Sequence, residues 1–390
     1  MKLAGVPLKL AAYPAEAITN RQFHEHRLTL LDRIYLPAGL RAMMDEPPAE
    51  ELQFIEDDNR GAILPEPIAT LDGQPFYLSV KGVGSTLDPY SWRPLDRAYA
   101  AELAGDPAVR ERLAGAPADG AERIITGELW LRGSPYGGQG LEHALTALRV
   151  SELADLTNLR GFRIAPVVKI SMLPSRLEEQ LRLIHWYRKY PGRMVQELRL
   201  VPSNVRIYFH SRSSVGNSIA QVFDQFSLGS DDRAVRFETR FIGSTIAMLT
   251  LFARTLAFDA ARGRYSGLDF HDVWLDKDAV VSPDGTVYFV DLEGIAPVVV
   301  DREEVREKIE DQIYRSLYEM MFAYEQIERE RARRFGSDGR RKRRFEGLLR
   351  EAVRLDPYVR VESAGSSTEL EIRNNCQEES LFTRFRMVDG

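Results

Sequence analysis

Phe270-His271-Asp272-Val273-Trp274-Leu275-Asp276-Lys277-Asp278, then Ala279-Val280-Val281, a Ser282-Pro283-Asp284-Gly285 turn, and Val287-Tyr288-Phe289-Val290-Asp291-Leu292-Glu293-Gly294: this stretch decides how the chain is read. Two apolar, β-branched runs around a Pro-Asp-Gly turn predict a tight hairpin. Carboxylates crowd its approach, and Asp291 closes its second strand just before a glycine. Mg2+ keeps several waters and takes one or two protein carboxylates plus phosphate oxygens. Asp278 and Asp291, at the two ends of one hairpin, suit that task. The plain alternative is a surface hairpin with acidic ends, since single aspartates at strand ends are common.

Upstream, Ala62-Ile63-Leu64 and Phe76-Tyr77-Leu78-Ser79-Val80-Lys81 flank a Leu71-Asp72-Gly73 turn and predict an antiparallel hairpin. Lys81 opens Lys81-Gly82-Val83-Gly84, where glycines allow a backbone to approach an anion closely. Standing alone, Lys81 reads first as a solvated strand end. Leu141, Leu145, Leu148 and Leu159 share one helical face, and Glu152 falls on it. A carboxylate among leucines is costly to bury unless paired, and Lys81 would supply the partner. Outward snorkelling is the other reading of Glu152. Arg199 and Arg206 flank Pro202-Ser203-Asn204, and a planar guanidinium fork suits phosphate oxygens. A strand lysine, a helix glutamate and hairpin carboxylates are the parts with which protein-kinase-like folds hold a magnesium nucleotide.

The expected fold class is therefore α+β: a two-lobed, protein-kinase-like arrangement with a small β-rich N-lobe and a mostly helical C-lobe. The lobes are expected over residues 1–170 and 171–335, with a C-terminal helix and hairpin extension over 336–390. Residues 27–44 read as a helix stopped by Asp45-Glu46-Pro47-Pro48, and residues 85–125, rich in Pro, Ala and Gly, as an insertion. Strands are expected at 164–170, 196–201 and 205–209, helices at 175–190 and 237–261, and a polar loop at 266–278. A helix at 303–335 should bury Ile309, Ile313, Leu317, Met321, Tyr324 and Ile327. The tail carries a basic run at 340–344, a short helix and a hairpin across Ser363-Ala364-Gly365-Ser366.

With 390 residues, 44% hydrophobic and 28% charged, the composition excludes a disordered or collagen-like chain. A net charge of −6 argues against a dedicated nucleic-acid binder, and the 340–344 run reads first as a solvated edge. A single cysteine, Cys376, allows no internal disulfide and fits a reducing compartment. No apolar stretch approaches the roughly 20 residues that cross a bilayer, and the first residues lack a signal-peptide core. The expectation is a soluble, cytoplasmic protein.

Together these segments resemble the selenoprotein O family, kinase-fold proteins that transfer AMP from ATP to protein side chains. Leu78-Ser79-Val80-Lys81-Gly82-Val83-Gly84 is similar to the family's lysine strand, and Ser134-Pro135-Tyr136-Gly137-Gly138-Gln139-Gly140 to the stretch that follows it. Arg199-Leu200-Val201-Pro202-Ser203-Asn204-Val205-Arg206 resembles its arginine segment, and His271 to Asp278 its metal loop, with Asp291 at the next metal position. The likeness runs over about residues 55–295. It implies an ATP bound with its α-phosphate facing an acceptor hydroxyl, on an acceptor protein or small molecule that the sequence does not name. Lys81 would hold the outer phosphates, braced by Glu152, and Arg199 and Arg206 would contact phosphate oxygens. Arg60, beside Gly61, would replace an arginine of the family's glycine-rich loop, and Gly82, Gln139 and Gly140 would line the nucleotide. Asp278 and Asp291 would bind Mg2+, or Mn2+ in its place.

Departures from the pattern are specific. Lys277 stands where the family's proposed base is an aspartate, and an ammonium beside a metal cannot accept a proton. Asp276 is the preferred substitute and Asp272 the other. Asp57-Asp58-Asn59-Arg60-Gly61 has one glycine where the family has several. The family's spacing would put the paired glutamate near Ala147 or Val150, so Glu152 rests on the leucine face, with Glu142 its rival. Cys376 does not supply the family's selenocysteine-type end.

Overall fold

Strand follows strand through the first half of the chain because its apolar residues alternate or run in short blocks broken by Gly, Pro and Asp. The structure is a computed structural model that describes residues 3, 7–21, 29–36, 44–57, 61–71, 73–83, 139–156, 163–182, 192–207, 218–270, 275, 278–336, 345–364, 367–376 and 383–388. It is α+β, with a large antiparallel sheet in the N-terminal half and helices mainly in the C-terminal half. The chain divides into two bodies, Leu3–Glu152 with Pro166–Val201, and Leu153–Ala165 with Pro202–Gly390.

In the first body the strands are β1 (Pro7–Pro14), β2 (Ala17–Thr19), β3 (Arg33–Leu36), β4 (Glu50–Asp57), β5 (Gly61–Leu71), β6 (Gln74–Lys81), β7 (Gln139–Gly140), β8 (Val167–Met172) and β9 (Met194–Val201). They form one sheet in the order β2-β8-β9-β6-β5-β4-β1-β3, with β7 also pairing β9. Its helices are α1 (Leu141–Leu156) and α2 (Ser175–Arg182). The β5–β6 hairpin forms as expected, its ladder shifting register around Pro67, which has no N–H to give. Every residue of β9 is buried, so both its faces are covered.

Residues 27–44 are not a helix where they are described. Thr29–Leu31 make one 3-10 turn, and β3 pairs antiparallel with β1. Tertiary pairing overrides the helical pattern here: Ile34, Tyr35 and Leu36 are fully buried, and Tyr35 meets Phe54 edge-on at 5.0 Å. The Gln196 side chain braces the strand, accepting from Tyr35 N–H at 2.8 Å and donating to Tyr35 C=O at 2.6 Å.

The second body holds α3 (Ile219–Gln225), α4 (Asp231–Leu249), α5 (Leu251–Thr255), α6 (Arg302–Phe335) and α7 (Phe345–Val353). Its strands are β10 (Ala257–Asp259), β11 (Arg264–Phe270), β12 (Ala279–Val281), β13 (Val287–Phe289), β14 (Ile295–Val300), β15 (Val359–Ala364), β16 (Ser367–Ile372) and β17 (Thr383–Val388). Ile242, Phe252, Ile309, Leu348, Val353 and Leu370 belong to one core, which ties α4, α5 and α6 to α7 and the terminal sheet β15-β16-β17.

Several expected boundaries move. The helix expected to run to residue 261 breaks at Thr250, whose hydroxyl donates back to Ile246 C=O at 2.9 Å, and after α5 the chain turns into β10. Residues 266–270 of the expected polar loop are instead part of β11, held between β10 and β14. Gly267 is needed there because a Cβ would sit 2.7 Å from the Phe252 ring. Of the strand expected at 205–209, residues 205–207 are described and show a bridge at Ile207, while 208 and 209 lie outside the described residues. On α6, Met321 is exposed where burial was expected, and Met320 is buried beside it; the Leu317 side chain lies outside the described residues. Asp301 and Glu304 form a reciprocal capping box at the start of α6, which fixes where this long helix begins. No helix among the described residues is long and apolar enough to cross a membrane.

Candidate functional site

Lys81 ends β6 inside the first sheet, and the register of its neighbours defines its surroundings. Asp57 pairs with Gly61, Gly61 with Lys81, and Lys81 with Glu197, one row across four strands. Direct cross-strand partners share a face, with Cβ atoms about 4.5–5.5 Å apart. Ser79 and Arg199 form the next row on that face. Lys81 is 4% exposed, Arg199 4% and Glu197 0%. Arg199 Nε lies 3.4 Å from Glu197 Oε1. Gly61 contributes no side chain to the row, and beyond it Ser79 Oγ donates to Asp57 Oδ2 at 3.4 Å. Burial holds the phenol of Tyr77, on the same face of β6, above its ordinary value, so it stays a neutral donor. The result is a buried polar face with two cations and two carboxylates.

Gly82 turns the chain away from β6 with φ +94°, and a Cβ there would lie 2.9 Å from Val195 C=O and 3.0 Å from Gln139 N. Only glycine accepts that geometry without strain. Gln139 and Gly140 pair with Val195 and Met194, at the same end of β9 that carries Glu197. The sheet thus gathers Gly61, Lys81, Gly82, Gln139, Gly140 and Arg199, residues that lie far apart in sequence. Glu152 is in the last turns of α1, half-buried, and its Oε1 accepts from Arg21 N–H at 3.0 Å. Its neighbour Ser151 is buried and accepts from Val167 N–H at 3.1 Å. Glu142, in the first turn of α1, is exposed.

In the second body β12 and β13 form the hairpin read from the sequence, with Ala279 opposite Phe289. Val290 N–H and Asp291 N–H both donate to Asp278 C=O, at 2.9 and 3.4 Å. This fixes the two aspartates side by side, Asp278 buried and Asp291 half-buried. Arg206 is buried in the same body. The residue before it, Val205, accepts from Val281 N–H at 2.8 Å, while Ser203 Oγ donates to Val281 C=O at 2.6 Å. The 203–206 segment therefore runs along the β12 edge of the aspartate hairpin. Arg60, Asp276 and Lys277 lie outside the described residues, as do the 85–125 insertion and the 340–344 basic run.

Among the described residues no three His, Cys, Asp or Glu side chains cluster as a ready-made metal cage. Two aspartates at the ends of one hairpin are a donor set whose chemistry fits Mg2+ completed by water and phosphate, and does not fit a structural Zn2+ site. Sequence reasoning missed Glu197, Asp57 and Ser79. The signal for Glu197 was present: a Glu-x-Arg alternation inside the apolar run Met194–Val201, where a carboxylate is expensive unless a cation faces it. Comparison with protein-family models, with curated proteins and with solved structures finds no match for the chain.

Proposed function

We propose that this chain is a Mg2+- and ATP-dependent transferase of protein-kinase-like fold that moves AMP onto a hydroxyl side chain of a protein. Lys81, Arg199 and Arg206 hold phosphate oxygens, Gly82, Gln139 and Gly140 line the nucleotide, and Asp278 and Asp291 hold the metal. The observation that carries the reading is the pinning of Asp278 beside Asp291 by two consecutive backbone N–H groups. The buried lysine and arginine rows of the first sheet support it independently. In the reaction the acceptor oxygen attacks the α-phosphorus and the bond to the β-phosphate oxygen breaks. Pyrophosphate leaves, and the hydroxyl proton passes to Asp276. Positioning and charge neutralisation supply most of the acceleration.

Transfer of the γ-phosphate is the variant of this reading. Incubation with ATP labelled separately at the α and γ positions distinguishes them, and incorporation of the γ label alone rejects AMP transfer. A second reading, a nucleotide-binding module without turnover, is favoured by Lys277 at the position where the resemblance places a base. Stabilisation by ATP and Mg2+ with neither label incorporated across varied acceptors supports that reading.

A further inference from the structure

Among the α1 residues whose side chains are described, the buried ones are Ala144, Ala147, Leu148, Val150 and Ser151, none of them a carboxylate. Its two glutamates lie elsewhere, Glu142 exposed and Glu152 half-buried with an oxygen on Arg21 N–H. The carboxylate directly opposite Lys81 in the sheet belongs to β9: Glu197, fully buried, with Arg199 Nε 3.4 Å from it. We infer that Glu197 is the positioning residue for Lys81, a brace supplied by the neighbouring strand instead of by the helix. The inference deepens the proposed nucleotide site and its functional part rests on that reading, but the Lys81–Glu197 coupling can be measured without nucleotide.

Geometry and charge make the assignment. A side chain one strand away in direct register is held by the ladder itself, so its carboxylate cannot drift with a helix end. A carboxylate with no exposure stays ionised only if cations face it, and Lys81 and Arg199 are the cations on its face. Asp57 is the remaining acid of that face, set off from Lys81 by the bare Gly61 and receiving the Ser79 hydroxyl. With Glu197 between Lys81 and Arg199, the ammonium is positioned along the sheet by the strand ladder.

The test is a double-mutant cycle on the full-length protein, read by urea unfolding: Lys81→Met, Glu197→Gln and the two combined. A coupled pair makes the double variant no less stable than the worse single variant, whereas additive losses overturn the inference. The same cycle with Glu152→Gln in place of Glu197→Gln should be additive, and a coupling there larger than the one to Glu197 also overturns it. Glu197→Asp should restore most of what Glu197→Gln loses. Thermal-shift titration with ATP and Mg2+ separates the two claims. A wild-type chain that ignores the nucleotide sinks the proposed function while the coupling result stands. Nucleotide stabilisation kept in Glu197→Gln and lost in Glu152→Gln sinks the inference alone.

Discussion

The carbonyl of Asp278 accepts hydrogen bonds from two consecutive N–H groups, those of Val290 and Asp291, so the aspartates that bracket the β12–β13 hairpin are locked in register. If both carboxylates ligate one metal, as proposed, each should contribute to a Mg2+-dependent gain in stability. ATP with Mg2+ should raise the melting temperature of the wild-type protein, and ATP with a chelator should not. At a hundredfold excess over Kd the gain corresponds to about 2.7 kcal/mol. Asp291→Ala should abolish the Mg2+-dependent part. Equal shifts in the variant and the wild type would remove the hairpin from the metal site.

Gly82 and Gly73 separate backbone strain from steric conflict. Both have positive φ, but a Cβ at Gly73 meets nothing within 4 Å, whereas at Gly82 it meets Val195 C=O and Gln139 N. Gly73→Ala should lose about 1 kcal/mol in denaturant unfolding. Gly82→Ala should lose about 2–3 kcal/mol and weaken any nucleotide binding, because the conflict displaces β7. Equal losses would show that the close approach is not maintained in solution.

Arg254 ties α5 to the terminal sheet. Its side chain is fully buried: Nε donates to Thr250 Oγ1 at 2.6 Å, a second nitrogen pairs with Asp356, and the guanidinium lies over the Tyr358 ring at 5.0 Å. Truncation leaves Asp356, itself largely buried, without its cation. Arg254→Ala should therefore cost about 3–5 kcal/mol, read by urea unfolding. A loss below about 1 kcal/mol would mean that the terminal sheet does not depend on this pair.

Glu330 on α6 predicts an acid-dependent loss. Hydrogen bonds from Arg333, and then from Arg334, hold its carboxyl at a pKa of about 2 against an ordinary 4.5. A carboxylate with a depressed folded-state value stabilises the protein above the unfolded value, and that contribution disappears as pH falls through the folded one. Glu330→Gln should thus be less stable than wild type at pH 7, by roughly 0.5–1 kcal/mol for so peripheral a cluster. The difference should shrink from about pH 4.5 and vanish near pH 2. A difference independent of pH would assign the effect to packing.

The two hairpins were legible because their information is local: a Pro-Asp-Gly or Asp-Gly turn and a period of two suffice. Asp278, Asp291 and Lys81 were singled out for that reason. Glu197 was not singled out, because its meaning lies in the residue opposite it, and register between distant strands is not written in either strand alone. β11 was misread as a polar loop because Ser266, Gly267 and Asp269 look like loop residues. Gly267 makes room for the Phe252 ring, and Asp269 is tied into α6 by Lys308 and Gln312. Arg33–Leu36, inside the expected 27–44 helix, went wrong in the opposite sense, a helical pattern recruited into a sheet edge by β1 and Gln196.

The division of the chain has a further outcome for anyone cutting the gene. The polypeptide passes between the two bodies after Glu152, returns at Pro166 and departs again after Val201, so neither body is encoded by one uninterrupted segment. A fragment stopping short of Met194 would lack β9, the strand against which β6, β7 and β8 all pair. It would expose their ladder edges to any available strand, and insoluble material is the expected product.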